Sequence, residues 1–280
     1  MTRFSRVQTV ILLAIVLAGT FITLFPLWWL LVSSFTPEKL IFVQSGFWPT
    51  QFTLDNYLTG WKGATRVTFG TYFVNSFIVV GLRVVGTVIS AAMTGYAFAR
   101  LDFAGKKILF SIMLLLMMLP FHVTLIPRYI LFYKIGWVDS YKPLIVPAFL
   151  ATQGFFIFLF VQFIRGLPRE LDQAATVDGC SPVDIFWRIV MPLCAPAVVT
   201  AAIFTFIWSW NDFFSNLIYI SNPKKYTVAL GLRAFVDSSS GAAFGALFAM
   251  SVLSLVPIVI FFISAQRLLI EGISTTGLKG

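Results

Sequence analysis

The chain has 280 residues, of which 59% are hydrophobic, 17% aromatic and only 11% charged. A typical soluble domain carries about 25% charged residues, so this composition excludes an ordinary soluble domain as well as disordered, coiled-coil and collagen-like chains. Two cysteines are too few for a disulfide scaffold. The net charge is +9, but Lys and Arg are scattered and form no basic stripe, so we predict a membrane protein surrounded by lipid, with no nucleic-acid partner.

Six stretches of the chain are long and apolar enough to cross a membrane, since a spanning helix needs about 20 mainly apolar residues. None shows the alternating segments of a transmembrane barrel. The apolar part of the first is too long for a signal peptide, whose core has about 7–15 residues, so we expect it to stay as an uncleaved span. The sequence therefore predicts an all-α integral membrane protein in which residues 1–280 form a single transmembrane domain. The predicted spans are about 9–33, 73–99, 108–131, 143–165, 194–220 and 246–268.

Because the number of predicted spans is even, both termini are expected on the same side of the membrane. Of the 20 Lys and Arg residues, ten lie on that side, nine on the other and Arg83 within a span. The bias is small, but the first set of segments is shorter and therefore richer in positive charge. We expect this side to be the cytoplasm.

The polar segment between the fourth and fifth spans predicts a short helix. Pro168 can open a helix, apolar residues then recur at helical spacing, and Gly179 can end it. A short capped helix between two spans is suited to docking into a groove of a soluble partner. It could equally lie on the membrane surface as an interfacial connector, and the pattern alone leaves both open.

A resemblance to a known family favours docking. Gln173-Ala174-Ala175, followed by Gly179 and then by Ile189-Val190-Met191-Pro192, keeps every spacing of the cytoplasmic loop that marks ATP-binding-cassette (ABC) importer permeases. Leu167-Pro168-Arg169-Glu170-Leu171 and Asp178-Gly179-Cys180-Ser181 resemble the extended form of this loop in carbohydrate importers.

Further segments are similar to the smaller membrane subunit of maltose-type importers, so that the resemblance covers essentially the whole chain. These segments are Asn75-Ser76, Gly95-Tyr96-Ala97-Phe98-Ala99-Arg100, Trp210-Asn211-Asp212-Phe213 and the tail from Gln266-Arg267 to Lys279-Gly280. The resemblance implies a type I ABC importer permease fold, with six transmembrane helices and a cytoplasmic coupling helix in the loop 167–192.

The function that the resemblance implies is import of a mono- or oligosaccharide across a bacterial inner membrane, with a glycerol-phosphate-type or other polyol solute as the alternative. It implies four partners: a second, homologous permease subunit that completes a heterodimer, two ABC ATPase subunits and an extracytoplasmic sugar-binding protein. The chain lacks the Gly-x-x-x-x-Gly-Lys-Ser/Thr phosphate loop. We therefore expect ATP and Mg on the ATPase subunits, no cofactor or metal on this chain, and no enzymatic activity of its own.

The resemblance also assigns residues to ATPase coupling. Gln173 stands where the family has a Glu that is expected to face a basic residue of the ATPase. The resemblance therefore assigns Gln173 a role in docking but no ion pair. Glu170, one turn earlier, could supply that carboxylate. The tail is expected to insert between the ATPase subunits, unless it is a frayed end. The predicted coupling residues are Glu170, Gln173, Ala174, Ala175, Asp178, Gly179, Pro192, Gly277 and Lys279.

Polar residues within the spans are candidates for the solute path, because charges are costly there and mark a pathway or a pair. Arg83 and Asp212 are expected at depths that differ by only ~3 Å, where they pair or share a polar cavity. Amide side chains can bond sugar hydroxyls and Trp rings can stack on sugars, although interhelical hydrogen bonding is the commoner use of such residues. We also expect the loop 221–246 to be flexible and to reach the binding protein. The translocation candidates are Asn75, Arg83, Gln153, Trp208, Asn211 and Asp212.

Overall fold

The computed structural model describes residues 6–43, 46–65, 67–236 and 243–277, and within these ranges it is helical without a strand. Short 3-10 turns at Glu38–Leu40 and Pro223–Lys225 and a π-helical turn at Phe186–Val190 link some of the helices. The helices are α1 (Arg6–Ser34), α2 (Asp55–Lys62), α3 (Phe69–Arg100), α4 (Lys106–Met118), α5 (Phe121–Lys134), α6 (Lys142–Phe149), α7 (Gly154–Arg165), α8 (Glu170–Val177), α9 (Pro182–Ile185), α10 (Met191–Leu193), α11 (Ala195–Trp210), α12 (Phe213–Tyr219), α13 (Val228–Arg233) and α14 (Phe244–Gly277).

Four helical segments of the described chain are long and apolar enough to cross a membrane: Val7–Ser34, Phe69–Arg100, Lys142–Arg165 and Phe244–Ser264. Two bent pairs raise the number to six if each pair is one span, namely α4 with α5 and Pro182–Leu193 with α11. The number agrees with the six predicted spans by length and composition. The second pair, however, begins at Pro182, within the predicted cytoplasmic loop 167–192, and ends at Trp210 instead of at residue 220.

The third predicted span is not one straight helix, because α4 and α5 meet at an angle of 104°. Leu119 between them is extended, with φ −72° and ψ 128°. The following residue is Pro120, which has no amide hydrogen and disfavours helical backbone in the residue before it. The predicted range 108–131 thus contains a break that its apolar composition conceals.

The chain divides into two compact units, each of which has its own internal contacts. The first consists of Met1–Gly70 and Gly231–Val256, and the second of Thr71–Leu230 and Pro257–Gly280. In the first unit the carboxylate of Glu38 accepts hydrogen bonds from the amides of Phe244 (2.8 Å) and Gly245 (2.6 Å) and so caps α14. Side chains along α1 are exposed over almost its entire length, so this helix offers its apolar surface to its surroundings.

The core of the second unit forms where α3 approaches α7 closely. A Cβ atom on Gly95 would lie only 2.6 Å from the Cβ of Phe160, and Ala91 and Ala92 of α3 are buried in the same core. Small residues of this kind let two membrane helices pack backbone to backbone. The same core includes Ala175 of α8 and the segment 185–190, so packing against the bundle fixes the position of the predicted coupling segment.

Candidate functional site

Helix α8 has the capped form that the sequence predicts at its end, but it begins later than predicted. Its first residue is Glu170, with Arg169 as the N-cap, so Pro168 precedes the helix instead of opening it. At the other end Gly179 has φ +83°, its amide donates to the carbonyl of Thr176 (3.1 Å), and the Cys180 amide donates to Ala175 (2.9 Å). This is a Schellman motif, so the predicted helix end at Gly179 is confirmed.

The two sides of α8 differ sharply. Glu170, Gln173, Ala174 and Val177 recur at helical spacing and are all exposed, Val177 to 88%. Ala175, by contrast, is only 6% exposed and belongs to the core. One side of the helix is therefore free to meet another subunit, while the other side holds it on the bundle.

The remaining predicted coupling residues lie around this helix and at the chain end. Asp178, Gly179 and Pro192 are exposed. Ala175 is a packing residue of α8 and not part of the exposed side, so we expect it to act by holding the helix. Gly277 is the last residue of α14, and Lys279 lies outside the described residues.

Sequence reasoning missed the residue that ties α8 to α3. The Nε atom of Arg100 lies 2.7 Å from Oδ2 of Asp172, with side chains 6% and 20% exposed. This is a short ion pair that lacks the alignment of a hydrogen bond, whereas Nη2 of Arg100 donates to the Leu167 carbonyl at 2.8 Å. The available signal was the position of Arg100 at the end of a quoted motif of the second span, and of Asp172 between two quoted motifs of the loop, directly before Gln173.

The predicted pairing of Arg83 with Asp212 is confirmed. Nη1 of Arg83 donates to Oδ2 of Asp212 at 2.9 Å, and the side chains are 18% and 17% exposed. Oδ1 of Asp212 accepts from the Ser215 amide at 3.1 Å and so caps α12. Asp212 therefore stabilises a break in the fifth predicted span, between α11 and α12, while it neutralises a partly buried arginine.

Asn75 lies at the opposite end of α3 from Arg100 and bonds a loop. It is 8% exposed, and its amide group donates to the carbonyls of Lys224 (3.0 Å) and Tyr226 (2.9 Å). The neighbouring Ser76 accepts from the Val228 amide at 2.8 Å. Asn75 is thus engaged within the protein, and its predicted contact with solute remains a prediction.

Asp139 holds the same loop from a second side. Its Oδ1 accepts from the amides of Ser221 (3.1 Å) and Asn222 (3.0 Å), and its Oδ2 pairs with Nζ of Lys225 at 2.8 Å. The hydrogen bond from Lys225 and those from the two amides hold the pKa of the Asp139 carboxyl below its usual range. The first part of the predicted flexible loop, 221–228, is thus held by hydrogen bonds from two sides. Its flexibility stays a prediction, and residues 237–242 lie outside the described residues.

The other translocation candidates surround the contact of α7 with α11. Gln153 precedes α7, and its carbonyl accepts from the amides that begin this helix. The ring of Trp208 lies 5.8 Å from that of Phe155 and is half exposed. Asn211 is exposed, and its amide donates to the Ile207 carbonyl at 2.8 Å.

The helical fold and the signature loop together define an integral membrane permease component of an ABC importer. The chain matches the family described as "Binding-protein-dependent transport system inner membrane component" over residues 86–273, and it belongs to this family. Members of this family are transport subunits and not enzymes.

Relatives match along nearly the whole chain. The permease protein AraQ of the arabinooligosaccharide transport system of Halalkalibacterium halodurans is 35% identical over 264 residues, or 93% of this chain and 92% of AraQ. The permease protein MalG of the trehalose/maltose transport system of Thermococcus litoralis is 31% identical over 260 residues, or 92% of each chain. A chain of a bacterial ABC transporter involved in alginate import has the same fold, with a TM-score of 0.83 and 19% identity over 95% of this chain and 99% of that chain. The type I ABC importer permease fold is thereby confirmed.

Proposed function

We propose that this chain is a sugar-translocating permease subunit of an ABC importer in a bacterial inner membrane, with both termini in the cytoplasm. It pairs with a second, homologous permease subunit. Two ATPase subunits, which bind ATP and Mg, grip the loop 167–192 from the cytoplasm, and an extracytoplasmic binding protein delivers the sugar to the other side.

The exposed side of α8 is the observation that carries this proposal. A short helix normally buries its apolar residues, yet Val177 is 88% exposed while Ala175 on the opposite side is buried. An exposed apolar side chain on the outer side of a helix is an anchor that a groove on a partner can bury. Glu170 lies on this side with Gln173 and supplies a carboxylate one turn before the position where the family has one.

The state of Arg83 gives no support to a glycerol-phosphate-type solute. Asp212 already neutralises Arg83, so this cation of the predicted path is engaged within the protein. The names of AraQ and MalG, which refer to arabinooligosaccharides and to trehalose and maltose, support a sugar as the substrate.

Thiol crosslinking tests the position of the docking side. In a chain with Cys180→Ser, Val177→Cys should crosslink to a co-expressed ATPase subunit in membrane vesicles; Cys194 is buried and should stay unreactive. Lys224→Cys is the matched control, because Lys224 is exposed beyond the far end of α3. It should capture no ATPase but should react with a membrane-impermeant maleimide added to intact spheroplasts. Labelling of Val177→Cys from outside, or no ATPase captured there, would contradict the proposed topology.

Uptake tests the substrate class. The assembled complex in proteoliposomes, supplied with its binding protein and ATP, should accumulate a labelled neutral oligosaccharide, and this chain alone should accumulate none. Uptake of glycerol 3-phosphate without uptake of any neutral sugar would favour the alternative.

A further inference from the structure

The buried contact between Arg100 and α8 has no role in the proposed docking surface, because it lies on the other side of the helix. Asp172 and Ala175 both face the bundle, whereas Gln173 and Val177 face outward. Loss of one partner of a buried ion pair strongly destabilises a protein, because the other charge is then left unpaired in the protein interior. The pair is therefore suited to holding two elements in one arrangement.

Arg100 grips α8 at two points. Its Nη2 atom donates to the carbonyl of Leu167, just before the helix, and its Nε atom lies 2.7 Å from the carboxylate of Asp172 in the first turn. Helix dipoles favour both ends of the pair, because Arg100 is in the last turn of α3 and Asp172 in the first turn of α8. Beside it the rings of Tyr96 and Phe186 are in contact, with centroids 5.3 Å apart.

Helix α3 is a continuous rod from this contact to the opposite end of the bundle. It has 32 residues without a proline or a break. At a rise of about 1.5 Å per residue, Asn75 and Arg100 lie about 37 Å apart along its axis. At that far end Asn75 and Ser76 bond the backbone of the segment 224–228. A displacement of α8 that moves α3 as a body therefore also reaches this loop.

We propose that Arg100 and Asp172 are positioning residues that make the coupling helix and α3 move as one body during transport. The pair touches neither ATP nor sugar. It converts a push on α8 into a movement of α3, and so sets how much transport each ATP yields. This inference rests on the proposed function, in which ATPase subunits grip α8.

The experiment measures ATP hydrolysed per sugar transported by the assembled complex in proteoliposomes. In Arg100→Gln and Asp172→Asn complexes we expect uptake per assembled complex to fall roughly tenfold or more, because loss of a buried partner exceeds a tenfold step in an equilibrium. ATP hydrolysis should fall much less, so the ratio of ATP to sugar should rise severalfold. The exchanged pair, Arg100→Asp with Asp172→Arg, should bring the ratio part of the way back, because it restores the ion pair but neither the bond to Leu167 nor the favourable helix dipoles.

Asp102→Asn is the matched control, since Asp102 lies two residues beyond Arg100 and its ion pair with Lys106 leaves it 99% exposed. Its ratio should not change. An unchanged ratio in both single variants overturns the proposal. If a single variant does not assemble, the exchanged pair decides: an assembled and coupled complex supports the proposal, and an exchanged pair no better than the single variants overturns it. Failure of the unmodified chain to assemble with ATPase subunits would instead contradict the proposed function, and the proposal with it.

Discussion

Replacing Asp212 removes one or two contacts, depending on the new side chain. The carboxylate pairs with Arg83 through Oδ2 and caps α12 through Oδ1, which accepts from the Ser215 amide. Asp212→Asn removes the charge but keeps an oxygen that can cap the helix, whereas Asp212→Ala removes both contacts. The two substitutions therefore separate the ion pair from the cap.

The size of each effect follows from the burial of the pair. Removing one member of a fully buried ion pair destabilises a protein by about 3–5 kcal/mol. Because Arg83 and Asp212 are 18% and 17% exposed, we expect about 2–3 kcal/mol for Asp212→Asn, below the value for full burial. Loss of the cap adds about 1 kcal/mol, so Asp212→Ala should cost about 3–4 kcal/mol.

Exchange of the two charges provides the strongest check on this pairing. Arg83→Asp alone places two carboxylates together, which is worse than an unpaired charge. Arg83→Asp combined with Asp212→Arg restores an ion pair but not the cap of α12. The double variant should therefore remain about 1 kcal/mol less stable than the unmodified chain, with uptake largely restored.

Unfolding of the purified chain in mixed micelles, followed by tryptophan fluorescence during a denaturant titration, measures these differences. Asp102→Asn is the control and should stay within about 0.5 kcal/mol of the unmodified chain, as expected for an exposed substitution. The reasoning is refuted if Asp212→Asn is as stable as the unmodified chain, or if the exchanged pair is no more stable than Arg83→Asp.

Three further predictions concern the ends of the bundle. Gly179 has φ +83°, and a Cβ atom added there would meet open space, with nothing within 4 Å. Gly179→Ala should therefore lower the free energy of unfolding by about 1–2 kcal/mol through backbone strain alone. Gly179→Asn should lower it less, and the same denaturant titration measures both. The lowered pKa of Asp139 means that its contribution is present above the carboxyl's unfolded-state pKa and is lost as the pH falls through its folded-state pKa. Hydrogen exchange of the amides in 221–226, corrected for intrinsic rates, should therefore accelerate in acid. In Asp139→Asn, which keeps an accepting oxygen but cannot titrate, this acceleration should be absent. Deletion of 272–280 should raise the ratio of ATP hydrolysed to sugar transported without lowering the amount of protein in the membrane by immunoblot.

Local signals were sufficient to predict the long apolar segments, the end of α8 and one long-range contact, but not the breaks within the spans. The end of α8 followed from a glycine at the close of a helical pattern, because only glycine adopts that backbone at little cost. The contact of Arg83 with Asp212 followed from depth, since two opposite charges at similar depth in a bilayer have few other ways to avoid an unpaired state. Both inferences rest on a free-energy cost that can be recognised from the residue type and its position in the sequence.

Some contacts could not be predicted in this way, because the polar group has several possible hydrogen-bond partners of similar energy. The amide of Asn75 can donate to a sugar hydroxyl or to a backbone carbonyl with similar energy, and only the fold shows that two loop carbonyls are within reach. The partner of Arg100 was hidden for a similar reason. An arginine at the end of a span can be satisfied by water and lipid headgroups, so nothing in the sequence requires Asp172.

The hydrogen bonds that the predicted translocation residues already make reduce the number of them that could bind the solute. A residue that binds sugar must be accessible and must have hydrogen-bonding capacity or ring surface left over. The amide hydrogens of Asn75 are engaged by the loop, and Arg83 and Asp212 neutralise each other. Trp208 and Asn211 lie one turn apart at the end of α11, both exposed, directly before the break that Asp212 stabilises. An exposed ring offers a stacking surface and the neighbouring amide offers hydrogen bonds to a sugar, so we expect the path to pass this end of α11.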